Sequence, residues 1–446
     1  MGDARDAVLP AGAAWLRRVA AGEGPIYRRV FEALRGAIAD GELSAGEQLP
    51  PQRTVAGLLG VDFTTVTRAY ALAREQGLVE GAAGRGTFVR RRTGEEEAGL
   101  IDLSMNLPPP PEGLSLAALL REATAGVLAR TDPATLMAYH AGPGSLAQRA
   151  AGAAWLAPGL GVVDPERVVI CAGAQAALSA ILTVETAPGD TVIVEALTYP
   201  GLLAALAARG VRALSCPMDG EGIVPEALAE RLAARGARLV VVTPTWQNPT
   251  TATMSPARRA AIVDVCAAAG ARILEDDAYG RLPDPAPAAL ARLAPERTWH
   301  VATLAKALTP GLRIAYVAAP DAAGAARLAT AGHALCQMPA PLMAAVATAW
   351  IRDGTAEAIL AGVRAEAAAR RALAAEILPE AIGPDGCLHV WLERAAGGPA
   401  QGLSLAAASL FAAPGVEARG ARLSLGAPGK RAILASALRR VAGSPA

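Results

Sequence analysis

The stretch Thr303-Leu304-Ala305-Lys306-Ala307-Leu308-Thr309-Pro310-Gly311-Leu312-Arg313 follows an apolar run typical of a buried strand, and it holds one of only two lysines in the 446-residue chain. Lysine and arginine together number 42, so arginine has replaced lysine almost everywhere. A primary amine, unlike a guanidinium, forms a Schiff base with a carbonyl. Lys306 therefore indicates pyridoxal phosphate, with Arg313 as a phosphate partner. The alternative for Lys306 is a solvated surface charge, which we expect for Lys430. The sequence around Lys306 distinguishes these two interpretations.

Strand-like apolar runs alternate with alanine-rich helical stretches through the larger, C-terminal part of the chain. The runs cover Val168–Cys171, Thr191–Val194, Leu239–Thr243, Arg272–Leu274 and Trp299–Leu304. This alternation predicts an α/β domain with a mostly parallel central sheet. Ligands of such sheets bind at the carboxyl ends of the strands, so the loops that follow these runs are the candidate site.

Two of these loops have features suited to a phosphorylated ring. Ala174 and Gln175 follow the first run and open a helix whose backbone N–H groups could hold a phosphate. Tyr199, in Thr198-Tyr199-Pro200-Gly201, offers an aromatic face on which a ring could stack. Either loop alone is equally typical of an ordinary strand-to-helix turn.

Two further loops supply polar groups for the ring itself. Asn248 carries an amide able to hydrogen-bond a ring hydroxyl, and Asp276 follows the fourth run. An aspartate at that place could keep a pyridinium nitrogen protonated, so that the ring withdraws electrons. Occurring in this order with Lys306 and Arg313, the four loops predict one cofactor site.

Residues 102–446 resemble the fold-type I pyridoxal-phosphate enzymes of the aminotransferase kind. The resemblance is carried by Gly173-Ala174-Gln175, Tyr199-Pro200-Gly201, Asn248, Asp276-Asp277-Ala278-Tyr279, Lys306 and Arg313. It implies that Lys306 forms the internal aldimine and that Arg313 binds the cofactor phosphate. It further implies ring contacts by Asp276 to the nitrogen, Tyr279 and Asn248 to the oxygen and Tyr199 to the face, and phosphate contacts by the N–H groups of Ala174 and Gln175.

Other residues gain a role only through this resemblance. Tyr139 matches a tyrosine that reaches a phosphate across the interface of a homodimer. Arg422 matches an arginine that binds a substrate or effector carboxylate in bidentate fashion, although an ordinary surface arginine at a strand start is the alternative. Ala172 and Ala305 depart from the family by replacing hydroxyl residues, whereas Thr303 keeps a hydroxyl for the cofactor site.

The first ninety residues have a different pattern. Apolar residues at four-residue steps from Ile26 predict a helix after Pro25, and two short helices joined by Leu59-Gly60-Val61 predict a helix-turn-helix. Asp62 or Thr64 could cap the second of these helices. A β-hairpin with Arg85 near its tip then resembles a wing. A small helical cap with the same spacing is the alternative.

Residues 25–90 resemble the GntR family of winged-helix regulators. Pro25-Ile26-Tyr27, Gly46-Glu47-Gln48-Leu49-Pro50, Leu58-Leu59-Gly60-Val61 and Gly84-Arg85-Gly86-Thr87-Phe88-Val89 carry the match. The resemblance implies that this unit binds double-stranded DNA through Arg53, Thr64, Thr65, Arg68 and Arg85. Residues 1–92 hold 13 arginines against 10 acidic residues, an excess of positive charge consistent with such a partner.

The whole chain therefore resembles the MocR group of regulators. We expect a winged helix-turn-helix domain at 1–90, a linker at 91–101 and an aminotransferase-like domain at 102–446. The five cysteines lack metal-site spacing and no apolar run is long enough to cross a membrane, so we expect a cytoplasmic protein without a metal. The expected function is transcriptional regulation by pyridoxal phosphate and an amine or amino acid. An aminotransferase with an appended DNA-binding domain and a sensor of the cofactor alone remain as alternatives.

Overall fold

The computed structural model describes residues 13–21, 24–40, 42–44, 46–82, 86–90, 100–394 and 402–443. The chain divides into two compact units, Met1–Leu100 and Ile101–Ala446. Arg85 and positions 91–99 of the expected linker lie outside the described residues. No helix in the described part is long and apolar enough to span a membrane.

The N-terminal unit contains the predicted helix-turn-helix. Its helices are α1 (Ile26–Ala39), α2 (Gln52–Leu59) and α3 (Phe63–Glu75), preceded by a 3-10 helix at Ala14–Ala21 that the sequence pattern did not indicate. Gly60 ends α2 in the left-handed conformation with φ 64°, which glycine adopts at little cost. Asp62 caps α3 by accepting a hydrogen bond from the Thr64 N–H at 2.8 Å.

A small antiparallel sheet completes this unit. Strands β1 (Gln48–Leu49), β2 (Val79–Ala82) and β3 (Gly86–Val89) lie in the order β1-β3-β2, so β2 and β3 are the two arms of the predicted wing. The core beneath it includes the fully buried Trp15, Leu34 and Tyr70. Tyr70 donates from its hydroxyl to the Pro50 carbonyl at 3.0 Å, which satisfies the one polar group of a side chain that is otherwise apolar.

The second unit is built on a seven-stranded sheet. Its strands are β5 (Val168–Cys171), β6 (Thr191–Glu195), β7 (Arg212–Cys216), β10 (Leu239–Val242), β11 (Arg272–Asp276), β12 (Thr298–Thr303) and β13 (Ala315–Ala318). They lie in the order β5-β13-β12-β11-β10-β6-β7, with β13 antiparallel to both of its neighbours. The five predicted strands are confirmed and the sheet is mostly parallel, while β7 and β13 are additional.

Smaller sheets and many helices surround this centre. Strands β14 (His389–Leu392), β16 (Ala406–Ala407) and β17 (Ala421–Ser424) form an antiparallel sheet, β4 (Ile101–Asp102) pairs with β15 (Leu403–Ser404), and β8 (Met218–Asp219) pairs with β9 (Gly222–Ile223). The helices cover Leu116–Arg130, Pro133–Leu136, Leu146–Leu160, Ala174–Glu185, Pro200–Ala208, Pro225–Arg235, Pro256–Ala268, Leu290–Leu293, Leu304–Ala307, Ala322–Cys336, Pro341–Arg352, Thr355–Ile377 and Arg431–Ala442, with 3-10 turns at Pro165–Arg167, Pro310–Leu312 and Ala408–Leu410.

The topology brings the predicted site loops to one edge of the sheet. Strands β6, β10, β11 and β12 are parallel, and β5 runs in their direction because the strand between β5 and β12 is antiparallel to both. The carboxyl ends of all five strands therefore meet at the same edge. The loops that follow them carry every ring and phosphate contact expected above for this part of the chain.

Gly426 holds the segment after β4 close to the end of β17. A Cβ at Gly426 would lie 1.9 Å from the Leu107 carbonyl oxygen, whereas a Cβ at Gly429 in the same loop would meet nothing within 4 Å. We expect Gly426→Ala to lower the free energy of unfolding by about 1–3 kcal/mol, because backbone must move to admit the methyl group. Gly429→Ala should stay within about 0.5 kcal/mol of wild type in the same denaturation experiment. Equal effects of the two substitutions would contradict the close approach.

Candidate functional site

Lys306 lies immediately beyond β12, on the short helix Leu304–Ala307. Thr303 caps this helix, since its hydroxyl accepts from the Ala305 N–H at 3.1 Å and donates to the Ile314 carbonyl at 3.4 Å. The ammonium of Lys306 donates to the main-chain oxygen of Asn106 at 2.5 Å. Burial, reinforced by the nearby cations of Arg422 and Arg313 against the opposing charge of Asp276, lowers the pKa of Lys306 to about 8. More of this amine is therefore uncharged near neutral pH than is usual for lysine.

Asp276, the last residue of β11, presents a carboxylate that lacks partners. Its Oδ1 atom is buried and makes no hydrogen bond within the described residues. Burial and the adjacent Asp277 raise the pKa of Asp276 to about 7, while Lys306 and His300 act in the opposite direction. A buried carboxylate oxygen without a hydrogen-bond partner costs stability, so this position favours a ligand with a positively charged N–H group.

Tyr279 and Asn248 are two further side chains of the candidate site. The Tyr279 hydroxyl accepts from the Asn106 side-chain nitrogen at 2.9 Å. The Asn248 side-chain oxygen accepts from Arg422 at 2.8 Å, which leaves its NH₂ group as a donor. Both side chains are almost completely buried. Two hydrogen-bond donors are thus available for an oxygen of a bound ligand.

Arg422 on β17 is buried beside Asn248 in the candidate site. It donates to the Asn248 side chain and to the main-chain oxygen of Ser104, and its guanidinium carbon lies 5.0 Å from the centre of the Phe411 ring. The Nε atom is buried and has no hydrogen-bond partner among the described residues. Burial lowers the pKa of Arg422, which nevertheless stays charged. The surface alternative for this arginine is wrong, because only 7% of the residue is exposed.

The candidate phosphate end lies at the start of the helix Ala174–Glu185. Gly173 precedes it with φ 87°, and a Cβ there would lie 3.2 Å from a guanidinium nitrogen of Arg313. The arginine side chain therefore lies directly against the backbone that opens the helix, which is an arrangement suited to an anion. Gln175 donates from its side chain to the Gly201 carbonyl at 2.8 Å and so ties this loop to the one that carries Tyr199.

Tyr199 and Tyr139 differ in their surroundings. Tyr199 is partly buried, burial together with Asp276 raises its pKa, and the Gln175 side chain ties its loop to the start of the helix Ala174–Glu185. Tyr139 is 80% exposed and belongs to a loop in which the neighbouring His140 donates from its ring to the Thr135 carbonyl. The structure thus groups Tyr199 with the other predicted residues and leaves Tyr139 on the surface of this chain.

Asn106 and His389 belong to the site although their positions in the sequence gave no indication of it. Asn106 contacts Lys306, Tyr279 and His389, and the centres of the Tyr279 and His389 rings are 5.5 Å apart. Both residues come from segments far from the loops discussed above. The prolines at 108–111 favour an extended chain after Asn106, but an extended chain does not by itself indicate a site residue.

In the N-terminal unit the predicted DNA contacts lie on and beside α3. Arg53, Thr64 and Arg68 are exposed and Thr65 is half-buried. The Arg68 guanidinium lies 4.0 Å from the centre of the Tyr27 ring, which limits its orientations. The Thr64 hydroxyl is bonded to Asp62, so the cap engages one of the groups proposed to contact DNA.

Comparison with known families matches both units. The family described as "Aminotransferase class I and II" matches residues 98–395, and "Bacterial regulatory proteins, gntR family" matches residues 26–89. Among solved structures, the kynurenine aminotransferase of Pyrococcus horikoshii in complex with PMP is similar at a TM-score of 0.70 and 22% identity, covering 83% of this chain and 98% of that one. LysN, the alpha-aminoadipate aminotransferase of Thermus thermophilus, reaches 0.68 and 24%, covering 84% and 97%. These two likenesses show the fold.

Relatives that match most of the chain are named as regulators. The vitamin B6 salvage pathway transcriptional repressor PtsJ of Salmonella typhimurium is 29% identical over 384 residues, which is 83% of this chain and 86% of that protein. The HTH-type transcriptional regulator TauR of Rhodobacter capsulatus is 29% identical over 406 residues, 82% and 81% of the two chains. The protein of Rhizobium meliloti named "Probable rhizopine catabolism regulatory protein MocR" is 29% identical over 333 residues, which is 66% of each chain.

Proposed function

The chain belongs to the aminotransferase class I and II family and joins to that domain a GntR-type helix-turn-helix, which is the architecture of MocR-type regulators. On that premise, we propose that it is a DNA-binding transcriptional regulator that holds pyridoxal phosphate on Lys306 and responds to an amine or amino acid. The family uses pyridoxal phosphate. The observation that carries the proposal for this chain is that the amine of Lys306 and the carboxylate of Asp276, whose buried Oδ1 has no hydrogen-bond partner among the described residues, lie at the ends of two adjacent parallel strands.

The remaining residues fit the cofactor group by group. When bound, pyridoxal phosphate supplies an aldehyde that links to amines and a ring that withdraws electrons. Asp276 would accept a hydrogen bond from the protonated ring nitrogen, and Tyr279 and Asn248 would donate to the ring oxygen. At the other end, Arg313 and the N–H groups of Ala174 and Gln175 would bind the phosphate. Tyr199 would cover one face of the ring, and the Thr303 hydroxyl would support the phosphate end while capping the lysine helix.

Arg422 is the proposed receptor for the effector carboxylate. A carboxylate would replace the Ser104 oxygen as a partner of the guanidinium and would occupy the unpartnered Nε. We expect Arg422→Gln to weaken binding of a carboxylate-bearing amine at least about 30-fold, as for the loss of a charge-assisted pair in a buried site. The same amine without its carboxylate is the matched ligand and should lose much less affinity. Equal losses for both ligands in calorimetry would show that Arg422 is structural.

A homodimer is the second part of the proposal. Tyr139 and Met137 are 80% and 85% exposed, and Leu146 beside them is 65% exposed. Apolar side chains this exposed, close together in the chain, are typical of a surface covered by another molecule. In the proposed dimer Tyr139 reaches the phosphate of the partner's site. A monomer in sedimentation of the full chain, with or without cofactor, would contradict this part.

Catalysis of transamination is the alternative function, and one observation favours it. Lys306, Asp276 and Arg422 are together in one buried group, so the groups that transamination requires are present. The cofactor itself is a further candidate effector. It is favoured by the similarity to a relative named as a vitamin B6 repressor.

One experiment separates these functions. DNA duplexes are first selected from a random library by the full chain, and their affinity is then measured for the cofactor-free chain, with pyridoxal phosphate, and with cofactor plus each of a panel of amino acids. Formation of keto acid is followed in the same samples. A change of affinity with an amino acid supports the proposed regulator, and a change with cofactor alone supports the sensor of cofactor. Sustained keto-acid formation with no specific DNA selected would contradict the proposal and support the enzyme.

A further inference from the structure

Asn106 joins three residues of the candidate site by hydrogen bonds. Its main-chain oxygen accepts from Lys306 at 2.5 Å, and its side-chain nitrogen lies 2.9 Å from the Tyr279 hydroxyl and 3.0 Å from Nδ1 of His389. Only 6% of Asn106 and none of His389 is exposed. The side-chain oxygen of Asn106 is also buried and has no hydrogen-bond partner among the described residues, so the side-chain contacts of the amide are those made by its nitrogen.

The chemistry of the amide fixes the direction of each bond. An NH₂ group only donates, so Tyr279 and Nδ1 of His389 must both accept. The proton of a neutral His389 then lies on Nε2, which faces the main-chain oxygen of Gln247 at 3.3 Å, an acceptor. The reverse amide orientation would require a proton on Nδ1 and would leave a bare Nε2 against that oxygen. Burial and the charge of Arg422 lower the pKa of His389 to about 3, which agrees with a neutral ring.

This order of bonds determines what the Tyr279 hydroxyl can do. Because the hydroxyl accepts from Asn106, its own proton is not used in that bond, and the hydroxyl makes no other hydrogen bond within the described part of the chain. We propose that Asn106, held by His389, is a positioning residue that commits the Tyr279 hydroxyl to donate to an oxygen of the bound ligand. The inference rests on the proposed function in one respect, namely that the oxygen belongs to the pyridoxal ring.

The first test needs no cofactor. The chain contains four histidines, so ¹⁵N-histidine labelling of the full-length protein gives a simple spectrum in which His389→Gln identifies one ring. We expect His389 to be neutral with its proton on Nε2. Asn106→Leu, which keeps the volume but removes the donor, should shift the Nδ1 signal toward that of a nitrogen that keeps only the weak thiol contact of Cys387 at 3.7 Å, and should leave His140, His300 and His333 unchanged. A proton on Nδ1 in the wild-type chain would overturn the proposal.

The second test measures how the Tyr279 hydroxyl affects the absorption of the bound cofactor as the pH changes. A donor to the ring oxygen favours the form of the lysine-linked chromophore that has lost its proton, so loss of the donor raises the pH midpoint of the visible absorption change. We expect Tyr279→Phe and Asn106→Leu each to raise this midpoint by about one pH unit, the size of a hydrogen bond to a charged group. The double variant should match Tyr279→Phe alone, because Asn106 acts through Tyr279.

The possible results are distinct. Additive shifts in the double variant, or an unchanged midpoint in Asn106→Leu, would overturn the positioning role while leaving the proposed function intact. A wild-type chain that gives no absorption band with pyridoxal phosphate would refute the proposed function, and with it any action of Asn106 on the cofactor, whatever the tautomer of His389.

Discussion

We expect Lys306→Ala to abolish the visible absorption band that the proposed function predicts for the wild-type chain with pyridoxal phosphate, and borohydride should then fix no cofactor to the protein. We expect this complete loss because alanine offers no amine and the remaining contacts hold the cofactor only non-covalently. The chain has only one other lysine, Lys430, so peptide mapping of the reduced wild-type protein has only two lysines to distinguish. Lys430→Ala is the matched control, since it removes the same side chain and should leave the band unchanged.

The same substitution should not destabilise the cofactor-free fold. The pKa of Lys306 in the folded chain is lowered to about 8 from an ordinary 10.5, so the unfolded chain binds this proton more tightly. The charged lysine therefore costs stability below pH about 8, and the cost disappears as the pH rises toward 10.5. We expect the Tm of cofactor-free Lys306→Ala at pH 7 to equal or exceed that of wild type. A marked fall in Tm, or a band that persists in the variant, would contradict the assignment of Lys306.

The sequence predicted the residues that follow the strands better than those that approach the site from elsewhere. Lys306, Asp276 and Asn248 follow buried apolar runs of the parallel sheet, and such runs are recognisable because both faces of the strand are covered. Because these strands are parallel neighbours, their carboxyl ends lie at the same edge of the sheet. The position of these groups therefore follows from local pattern and topology together.

Asn106 and His389 could not be found in this way. Each comes from a segment whose place depends on tertiary pairing: Asn106 follows β4, a two-residue strand paired with β15, and His389 begins β14, which pairs with β17. Two-residue strands have no period that a sequence can display. The hydrogen bonds of the Asn106 side chain connect positions 106, 279 and 389, which are too far apart in the sequence for any local spacing to indicate them.

The two additional strands of the large sheet were missed for local reasons. Strand β7 is at the edge of the sheet and begins with an exposed arginine, so it lacks the continuous apolar run of a central strand. Strand β13, Ala315–Ala318, follows the lysine stretch after only one residue, and its alanines are equally typical of a helix. Because β13 is antiparallel to both β12 and β5, the carboxyl end of β5 lies on the same side of the sheet as the carboxyl end of β12. Ala174 and Lys306 therefore lie on the same side of the sheet.

For the N-terminal unit, we expect Arg68→Ala to weaken binding to a selected DNA duplex about tenfold or more, which is the usual effect of losing one arginine contact. The structural reason is that Arg68 is exposed on α3 and its guanidinium is held over Tyr27, so little freedom is lost when it meets a base or a phosphate. Affinity is measured over a series of salt concentrations. A phosphate contact predicts a salt slope reduced by about 0.9, whereas a base contact predicts an unchanged slope and a relaxed sequence preference.

Arg35 provides the matched control for this substitution. It lies on α1, is exposed, and pairs with Glu32 at 2.6 Å, so Arg35→Ala makes the same change of charge on a different face of the unit. Long-range attraction to DNA depends on total charge and would affect both variants alike, whereas a direct contact affects only Arg68. Tyr27→Leu should reproduce part of the Arg68→Ala loss, because it removes the ring that orients the guanidinium while leaving the charge in place. Equal losses for Arg35→Ala and Arg68→Ala would mean that α3 does not read DNA through this arginine.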